Sequence, residues 1–464
     1  MQNYLGACGR GRGGGINCRM KELSSYSRRR FLQQATVVAG AAPLLLSGWS
    51  ALGAPNERIN LGFIGLGTQG RGLMGGFLGQ PGTQVVAVCD VDTTRREDAK
   101  KRVENYYKNK GATDTSKGCQ AYGDFRELLA RPDVDGVVIA TPDHWHAPLT
   151  IATAKAGKDV YCEKPLSKSV HESRAMVQAV RKHQRVLQVG SMQRSMREFR
   201  VACELVRNGL LGKIDHVDVG VGGPPVPCDL PEEAAEPGLN WDFWLGPAAV
   251  RSYNSVLSPR GVHTHFPNWR HYREFGGGGV CDFGAHHFDI AHWGLGMDEA
   301  GPLEVLPPAD WKTAQSGVRL RYANDVIVNH TGGNGIAFFG AAGRVKVDRG
   351  SIEVTIGGKT IEKGDAPLRD QLERVEKEFL TARTASLYQS ANHLADWLGA
   401  MRSRKTPICD VETGARTANV CHLVNLAYQY GEAMKWDAAR EQFTGGTGKA
   451  EWLDIAHREP WKTA

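Results

Sequence analysis

A short apolar run, Ile59–Ile64, ends in Gly65-Leu66-Gly67-Thr68-Gln69-Gly70, and a helical pattern follows to about Leu78. Strand, glycine turn and helix in that order constrain the fold more than any other feature of the chain. In such a unit the first glycine permits the tight turn, the second lets a pyrophosphate approach the backbone, and the third lets helix and strand pack. The helix N-terminus adds free N–H groups and the positive end of the helix dipole. A lone G-x-G-x-x-G is weak in a chain with 56 glycines. Asp90 strengthens it: the acid ends the next strand, Gln84–Cys89, about twenty residues on, where a carboxylate hydrogen-bonds ribose hydroxyls. Together they predict dinucleotide binding through Gly65, Gly67, Thr68, Gln69, Gly70 and Asp90. An acid there repels a 2′-phosphate, which favours NAD over NADP. Arg95 and Arg96, close behind, are the residues that would reverse that preference.

The segments after Asp90 continue the alternation. Helices are expected at Arg95–Tyr107, His146–Ala156 and Ser169–Lys182, and strands at Val134–Ala140, Asp159–Cys162 and Val186–Val189, with a polar insertion at Lys108–Gly118. Such βαβ repetition implies a parallel sheet with helices on both faces. Beyond Gly190 come a helix (Glu198–Asn208), a strand (Lys213–Val221) and an irregular Pro/Trp/His-rich stretch, Gly222–Phe275. A helix from about Asp282 to Trp293 follows. Five short alternating segments between Val318 and Ile356 then read as an antiparallel meander, and helices near Ser390–Met401 and Gly414–Ala433 close the chain. The fold class is α/β: a Rossmann domain over 55–190 and a C-terminal α+β domain with a largely antiparallel sheet over 191–464. A sheet with one uncovered face would pair copies of the chain, so a homo-oligomer is expected.

Charge locates a leader. The chain carries 57 Lys+Arg and 50 Asp+Glu, a net +7, but seven of the bases and one acid lie in residues 1–54. The remaining 50 bases and 49 acids leave a near-neutral body, with no electrostatic footprint for nucleic acid. Ser27-Arg28-Arg29-Arg30-Phe31-Leu32 is a twin-arginine motif before an apolar run, Ala35–Leu46, and small residues at Ala51–Ala54 suit cleavage. Export through the twin-arginine machinery to the periplasm is expected, with no stable span after processing. The rival is a short N-terminal anchor, for which the run is short. Met20, just before the motif, is a second candidate start. Eight of the ten cysteines lie in the body without a C-x-x-C pair, which favours buried thiols over a disulfide framework or a thiolate zinc site.

Three further segments carry candidate chemistry. Glu163-Lys164-Pro165 follows the strand Asp159–Cys162, which puts Lys164 at a carboxyl end of the sheet, where such folds bind ligands. Thr141-Pro142-Asp143-His144-Trp145-His146 lies past another strand end and is, read blandly, a turn and helix start. In Gly276-Gly277-Gly278-Gly279-Val280-Cys281-Asp282-Phe283-Gly284-Ala285-His286-His287-Phe288-Asp289, one helix would put Asp282 and His286 on a shared face. Asp282 also suits a helix cap, His287 or His292 a core histidine, and Asp282, His286 and Asp289 a metal. No recognisable metal signature is completed, and none is assigned. Trp241, Trp244, His265, Trp269, Arg270 and Tyr272 in the irregular stretch suit stacking on a sugar. His393 and His422 are weaker candidates.

These elements in this order resemble the Gfo/Idh/MocA oxidoreductases, a family that includes inositol dehydrogenases and glucose–fructose oxidoreductase. The likeness rests on the glycine loop, the acid ending the second strand, A-T-P-x-x-x-H (Ala140–His146), E-K-P, and G-G-G-x-x-x-D-x-G-x-H, and spans essentially Asn56 to Trp436. Asn240–Pro247 further resembles exported members found with carbohydrate-degrading systems. The resemblance implies Lys164, Asp282 and His286 as catalytic residues, and adds Thr141, Pro142, His146, Glu163 and Lys164 to the cofactor contacts. Trp241, His265, Trp269, Arg270, Tyr272 and His287 are the substrate candidates. The chemistry expected is hydride transfer from a hydroxyl-bearing carbon of a sugar or polyol to NAD, with neutral His286 taking the proton and Lys164, held by Asp282, stabilising the alkoxide. An exported enzyme has no obvious free NAD pool, so a tightly held NAD in a closed cycle is the alternative. One form is transfer between two sugars. The other is a redox-neutral glycosidase needing an extra base, for which His265, Tyr272 and Tyr253 are candidates. A non-catalytic sugar- or NAD-binding protein is the third reading.

Overall fold

The computed structural model describes residues 58–110, 118–364 and 366–461, so the expected leader lies outside the described residues. The first part alternates β1 (Ile59–Ile64), α1 (Thr68–Leu78), β2 (Thr83–Cys89), α2 (Thr93–Asn109), β3 (Gln120–Tyr122), α3 (Phe125–Leu129), β4 (Gly136–Ile139), α4 (His146–Lys155), β5 (Asp159–Cys162), α5 (Val170–Lys182) and β6 (Leu187–Val189). The six strands pair in parallel in the order β3-β2-β1-β4-β5-β6. This doubly wound order reverses direction beside β1 and leaves a crevice at the carboxyl ends of β1 and β4. Strands β4 and β5 are buried along their whole length, as a sheet covered on both faces requires.

The second part contains α6 (Arg197–Arg207), β7 (Ile214–Gly220), α7 (Trp241–Leu245), α8 (Gly278–Asp282) and α9 (Gly284–Leu295). Strands β8 (Glu304–Leu306), β9 (Arg319–Arg321), β10 (Ile327–Thr331), β11 (Gly335–Gly340), β12 (Gly343–Asp348), β13 (Ser351–Ile356) and β14 (Lys359–Ile361) follow. Then come α10 (Leu368–Phe379), α11 (His393–Ser403), α12 (Val411–Tyr430), β15 (Met434–Asp437) and β16 (Gln442–Thr444). The ten strands order as β14-β13-β12-β11-β7-β10-β9-β8-β15-β16. The expected meander is therefore interrupted. β7 lies between β10 and β11, parallel to the first and antiparallel to the second. Both β10 and β11 gain β7 as a fully paired neighbour, which local alternation along the sequence does not reveal. Alternate residues of β10, β12 and β13 are buried, and α9, covered by β7, α6 and α12, is buried on nearly every side.

Chain order and spatial grouping part company near the C-terminus. Trp397 of α11 packs edge-on against Phe77 and Tyr161, at centroid distances of 5.5 and 5.7 Å. The Val189 N–H donates to the Cys409 carbonyl at 2.9 Å. Late elements thus complete the core of the parallel sheet and fix its carboxyl edge.

Candidate active site

That edge opens on a cavity lined by Gly65, Gly67, Thr68, Gln69 and Asp90 on one side and by Thr141 and Pro142 on the other. Gly65 has φ +87°, and a Cβ there would lie 2.7 Å from the Ala140 carbonyl carbon. A Cβ on Gly70 would lie 1.9 Å from the Gly65 carbonyl oxygen. Gly67 has no neighbour within 4 Å of its Cβ position and faces the cavity. A void over the N-terminus of an 11-residue helix is the space a pyrophosphate takes, and the residues fit NAD.

The Asp90 carboxylate braces this loop as well as lining the cavity. It accepts the Leu66 N–H at 2.7 Å and the Asp92 N–H at 2.9 Å. Burial pushes its pKa up, opposed by Arg95 and by those two N–H groups. The Arg95 guanidinium is engaged by Asp92 at 3.5 Å, Ser258 Oγ at 3.3 Å, and the carbonyls of Gly261 and Pro259. Arg96 donates to the Asp90 carbonyl at 3.3 Å. The cation best placed to receive a 2′-phosphate is therefore committed within the fold.

A second cavity adjoins the first, with Gln69, Thr141, Phe266, Trp269 and Arg270 lining both. Glu163, Lys164, Asp282 and His286 face it. Lys164 Nζ donates to Asp282 Oδ1 at 2.5 Å and to the Asp282 carbonyl at 2.8 Å. Two of the three ammonium protons are so placed, and one is left for a ligand. Arg270 Nε stands 3.8 Å from Asp282 Oδ1. Burial works against ionisation of Asp282, but Lys164 and then Arg270 outweigh it and hold the carboxyl below its usual value. His286 is buried, and among the described residues its Nδ1 has no hydrogen-bond partner. Burial, and next the Lys164 cation, push its pKa well below 6.5, so the imidazole is neutral at pH 7. Glu163 accepts from Gln69 Nε2 at 2.9 Å and from the Lys164 N–H at 3.3 Å, which ties the glycine loop to the lysine.

The expected single helix from Asp282 is two helices, with Phe283 between them. In an unbroken helix the Asp282 carbonyl would accept the His286 N–H. Here His286 donates to the Phe283 carbonyl at 3.0 Å, and the Asp282 carbonyl is released to Lys164. Asp282 is not a cap either, because α9 has no side-chain cap. Nor does Asp289 join Asp282 and His286 around a metal: Arg194 takes both its oxygens at 2.8 Å.

Several candidates fall elsewhere. His146 is buried between the carbonyls of Pro165 and Thr141, bracing the two strand ends without lining either cavity. His287 is a core histidine facing the Gly220 carbonyl at 2.8 Å. Trp241 stacks on Trp244 and donates to the Arg251 carbonyl, and only Trp244 lines the first cavity. His265 contributes its carbonyl, which accepts from Thr68 Oγ1 at 2.8 Å. Tyr272 and Tyr253 line neither cavity, and the Tyr253 hydroxyl donates to the Ser258 carbonyl at 2.8 Å. His393 faces the Val189 carbonyl at 2.8 Å, and His422 faces Ser167 Oγ at 3.1 Å. Trp269 and Arg270 do line the second cavity, the guanidinium 4.2 Å over the indole. Sequence reasoning missed Asp143, Phe283 and Arg349 there. Asp143 and Phe283 sat inside motifs already singled out; Arg349, in the β12–β13 turn, carried no local signal.

Parallel order 3-2-1-4-5-6, an open glycine loop and a lysine–carboxylate pair beside a neutral histidine define a dinucleotide-binding fold of the oxidoreductase class. Residues 59–191 match the oxidoreductase family's NAD-binding Rossmann fold, and residues 227–463 match its C-terminal alpha/beta domain. The chain belongs to the Gfo/Idh/MocA oxidoreductase family. It is 32% identical over 211 residues to glycosyl hydrolase family 109 protein 2 of Shewanella sp. (strain ANA-3), covering 42% of this chain and 45% of that protein. It is 31% identical over 212 residues to the alpha-N-acetylgalactosaminidase of Shewanella oneidensis, again covering 42% and 45%. The chain thus spans about half the length of the curated relatives it matches. Among solved structures it is similar to the aldose-aldose oxidoreductase of Caulobacter crescentus complexed with glycerol (TM-score 0.51, 20% identity, 82% of this chain and 99% of that one). It is also similar to the WlbA dehydrogenase of Bordetella pertussis in complex with NADH and UDP-GlcNAcA (TM-score 0.55, 18% identity, 82% and 98%). At these identities the likeness shows the fold alone.

Proposed function

We propose that this protein transfers hydride between NAD and a hydroxyl-bearing carbon of a sugar or sugar-like polyol. One observation carries the reading: Lys164, Asp282 and His286 face a single cavity that opens into the one over Gly65–Gly70. NAD, when bound, supplies the hydride acceptor. His286 takes the hydroxyl proton on a ring nitrogen, being neutral at the working pH. Lys164 gives its remaining proton to the developing alkoxide as a charge-assisted hydrogen bond, and Asp282 fixes the ammonium in place. Trp269 and Arg270 offer a stacking face and donors for the sugar. Export through the twin-arginine machinery belongs to the same reading and rests on Ser27–Leu32.

A second reading has a specific observation in its favour, the naming of relatives as glycosyl hydrolase family 109 proteins and an alpha-N-acetylgalactosaminidase. In it the same trio oxidises a ring hydroxyl, elimination releases the glycosidic group, water adds, and the hydride returns. Incubating purified protein with a panel of glycosides and free sugars, with and without added NAD, separates the two. Stoichiometric NADH on free sugars supports net oxidation; leaving-group release without net NADH supports the closed cycle. Neither product on any substrate would overturn both.

A further inference from the structure

The second cavity holds a carboxyl group that hydride transfer does not use. Asp143 opens the short turn Asp143–Trp145 beyond β4, is 5% exposed, and lines the cavity with Lys164, Asp282 and His286. The turn is anchored from behind. His144 Nε2 and Trp145 Nε1 both meet the Trp244 carbonyl at 3.0 Å, which fixes the backbone that presents Asp143. Among the described residues the Asp143 carboxyl has neither a hydrogen bond nor an ion pair; it feels Lys168, Arg270, Asp282 and Cys281 only through the field. A buried carboxyl with no partner is unfavourable as an anion and is kept as the acid.

We infer that Asp143 is the general acid that protonates the departing glycosidic oxygen. The inference rests on the closed-cycle reading above. After the ring hydroxyl has become a ketone, the hydrogen on the carbon between ketone and anomeric centre leaves as a proton to solvent. The electron pair of that C–H bond forms a C=C bond, and the anomeric C–O pair goes to the leaving oxygen. That oxygen needs one proton, and Asp143 gives it. Water then adds: its hydroxyl goes to the anomeric carbon, its proton restores Asp143, and the neighbouring carbon recovers a proton from solvent. Hydride return to the ketone closes the cycle with one glycoside and one water consumed. Burial pushes the Asp143 carboxyl up to about 8, against the pull of Lys168 and Arg270, so the acid is loaded at neutral pH.

The test compares p-nitrophenyl with methyl glycosides of the sugar the wild type cleaves. A nitrophenolate leaves without a proton; an alkoxide does not. Asp143→Asn should lower kcat/KM for the methyl glycoside on the order of 10²-fold more than for the p-nitrophenyl glycoside. The same variant should still exchange the C–H next to the ketone with D2O in recovered substrate. Should Asp143→Asn fold poorly, Asp143→Ala with added formate serves instead, and formate should restore methyl glycoside cleavage selectively. Equal losses on both glycosides, with no rescue by formate, would overturn the inference and leave the closed cycle standing. A wild type that cleaves no glycoside but reduces NAD stoichiometrically would remove the closed cycle, and the inference with it.

Discussion

Lys164 and His286 act through groups that ordinary solvation would not provide. The ammonium is oriented by a carboxylate and a backbone carbonyl of one residue, Asp282, and its charge helps keep His286 neutral. Lys164→Ala and His286→Ala should therefore each lower kcat roughly 10²–10⁴-fold while NAD binding, followed by calorimetry, changes little. Near-normal turnover in Lys164→Ala would sink the mechanism. The pH profile gives an independent check. A base with a depressed pKa stays unprotonated as pH falls, so kcat/KM should show no histidine-type loss between pH 8 and 6.5. Arg349 is one of the cations that depress His286. Arg349→Met should move the acid limb to higher pH, and an unmoved limb would assign it to another group.

At the scale of elements, the glycine loop and the end of β2 form one device. Asp90 holds the loop through the Leu66 N–H and faces the space over Gly67. Asp90→Ala should weaken NAD binding and narrow the NAD-over-NADP preference in titration calorimetry, through a lost ribose acceptor and an unbraced loop. A wild type binding NADP more tightly would reverse the assignment, despite the commitment of Arg95 to Ser258 and its neighbours. The glycine loop was legible because its turn, its phosphate space and its helix start are all local in sequence. The α8–α9 break was not. Periodicity favours one continuous helix, and the Asp282 carbonyl at the break accepts from Lys164, 118 residues away.

For the whole molecule, the late helix α11 completes the core of the first sheet. Trp397, fully buried against Phe77 and Tyr161, is its anchor. Trp397→Ala should cost roughly 3–5 kcal/mol in denaturant unfolding. A loss under 1 kcal/mol would show that α11 contributes little to that core. The proposed twin-arginine leader is tested separately: Arg28→Lys with Arg29→Lys should leave folded protein in the cytoplasm on fractionation, whereas unchanged export would return the anchor reading. No helix among the described residues is long and apolar enough to cross a membrane.

What the sequence determined by itself is what short-range physics encodes. Turn glycines, a carboxylate after a strand and apolar runs follow from local pattern, whereas Lys164, Asp282 and His286 were singled out by the resemblance to the Gfo/Idh/MocA oxidoreductases. Aromatic and histidine side chains were the weak point, since a tryptophan or an imidazole serves a core as readily as a ligand. His146, His287, Trp241 and Tyr272 face carbonyls, rings or backbone pairs, whereas Trp269 and Arg270 reach the cavity. The tertiary structure alone decided that sorting, together with the insertion of β7 between β10 and β11 and the arrival of Arg349 from a distant turn. The reason is that burial and partner choice depend on which segments the fold brings together, from 19 residues apart for His146 and Pro165 to 118 for Lys164 and Asp282, which no local pattern records.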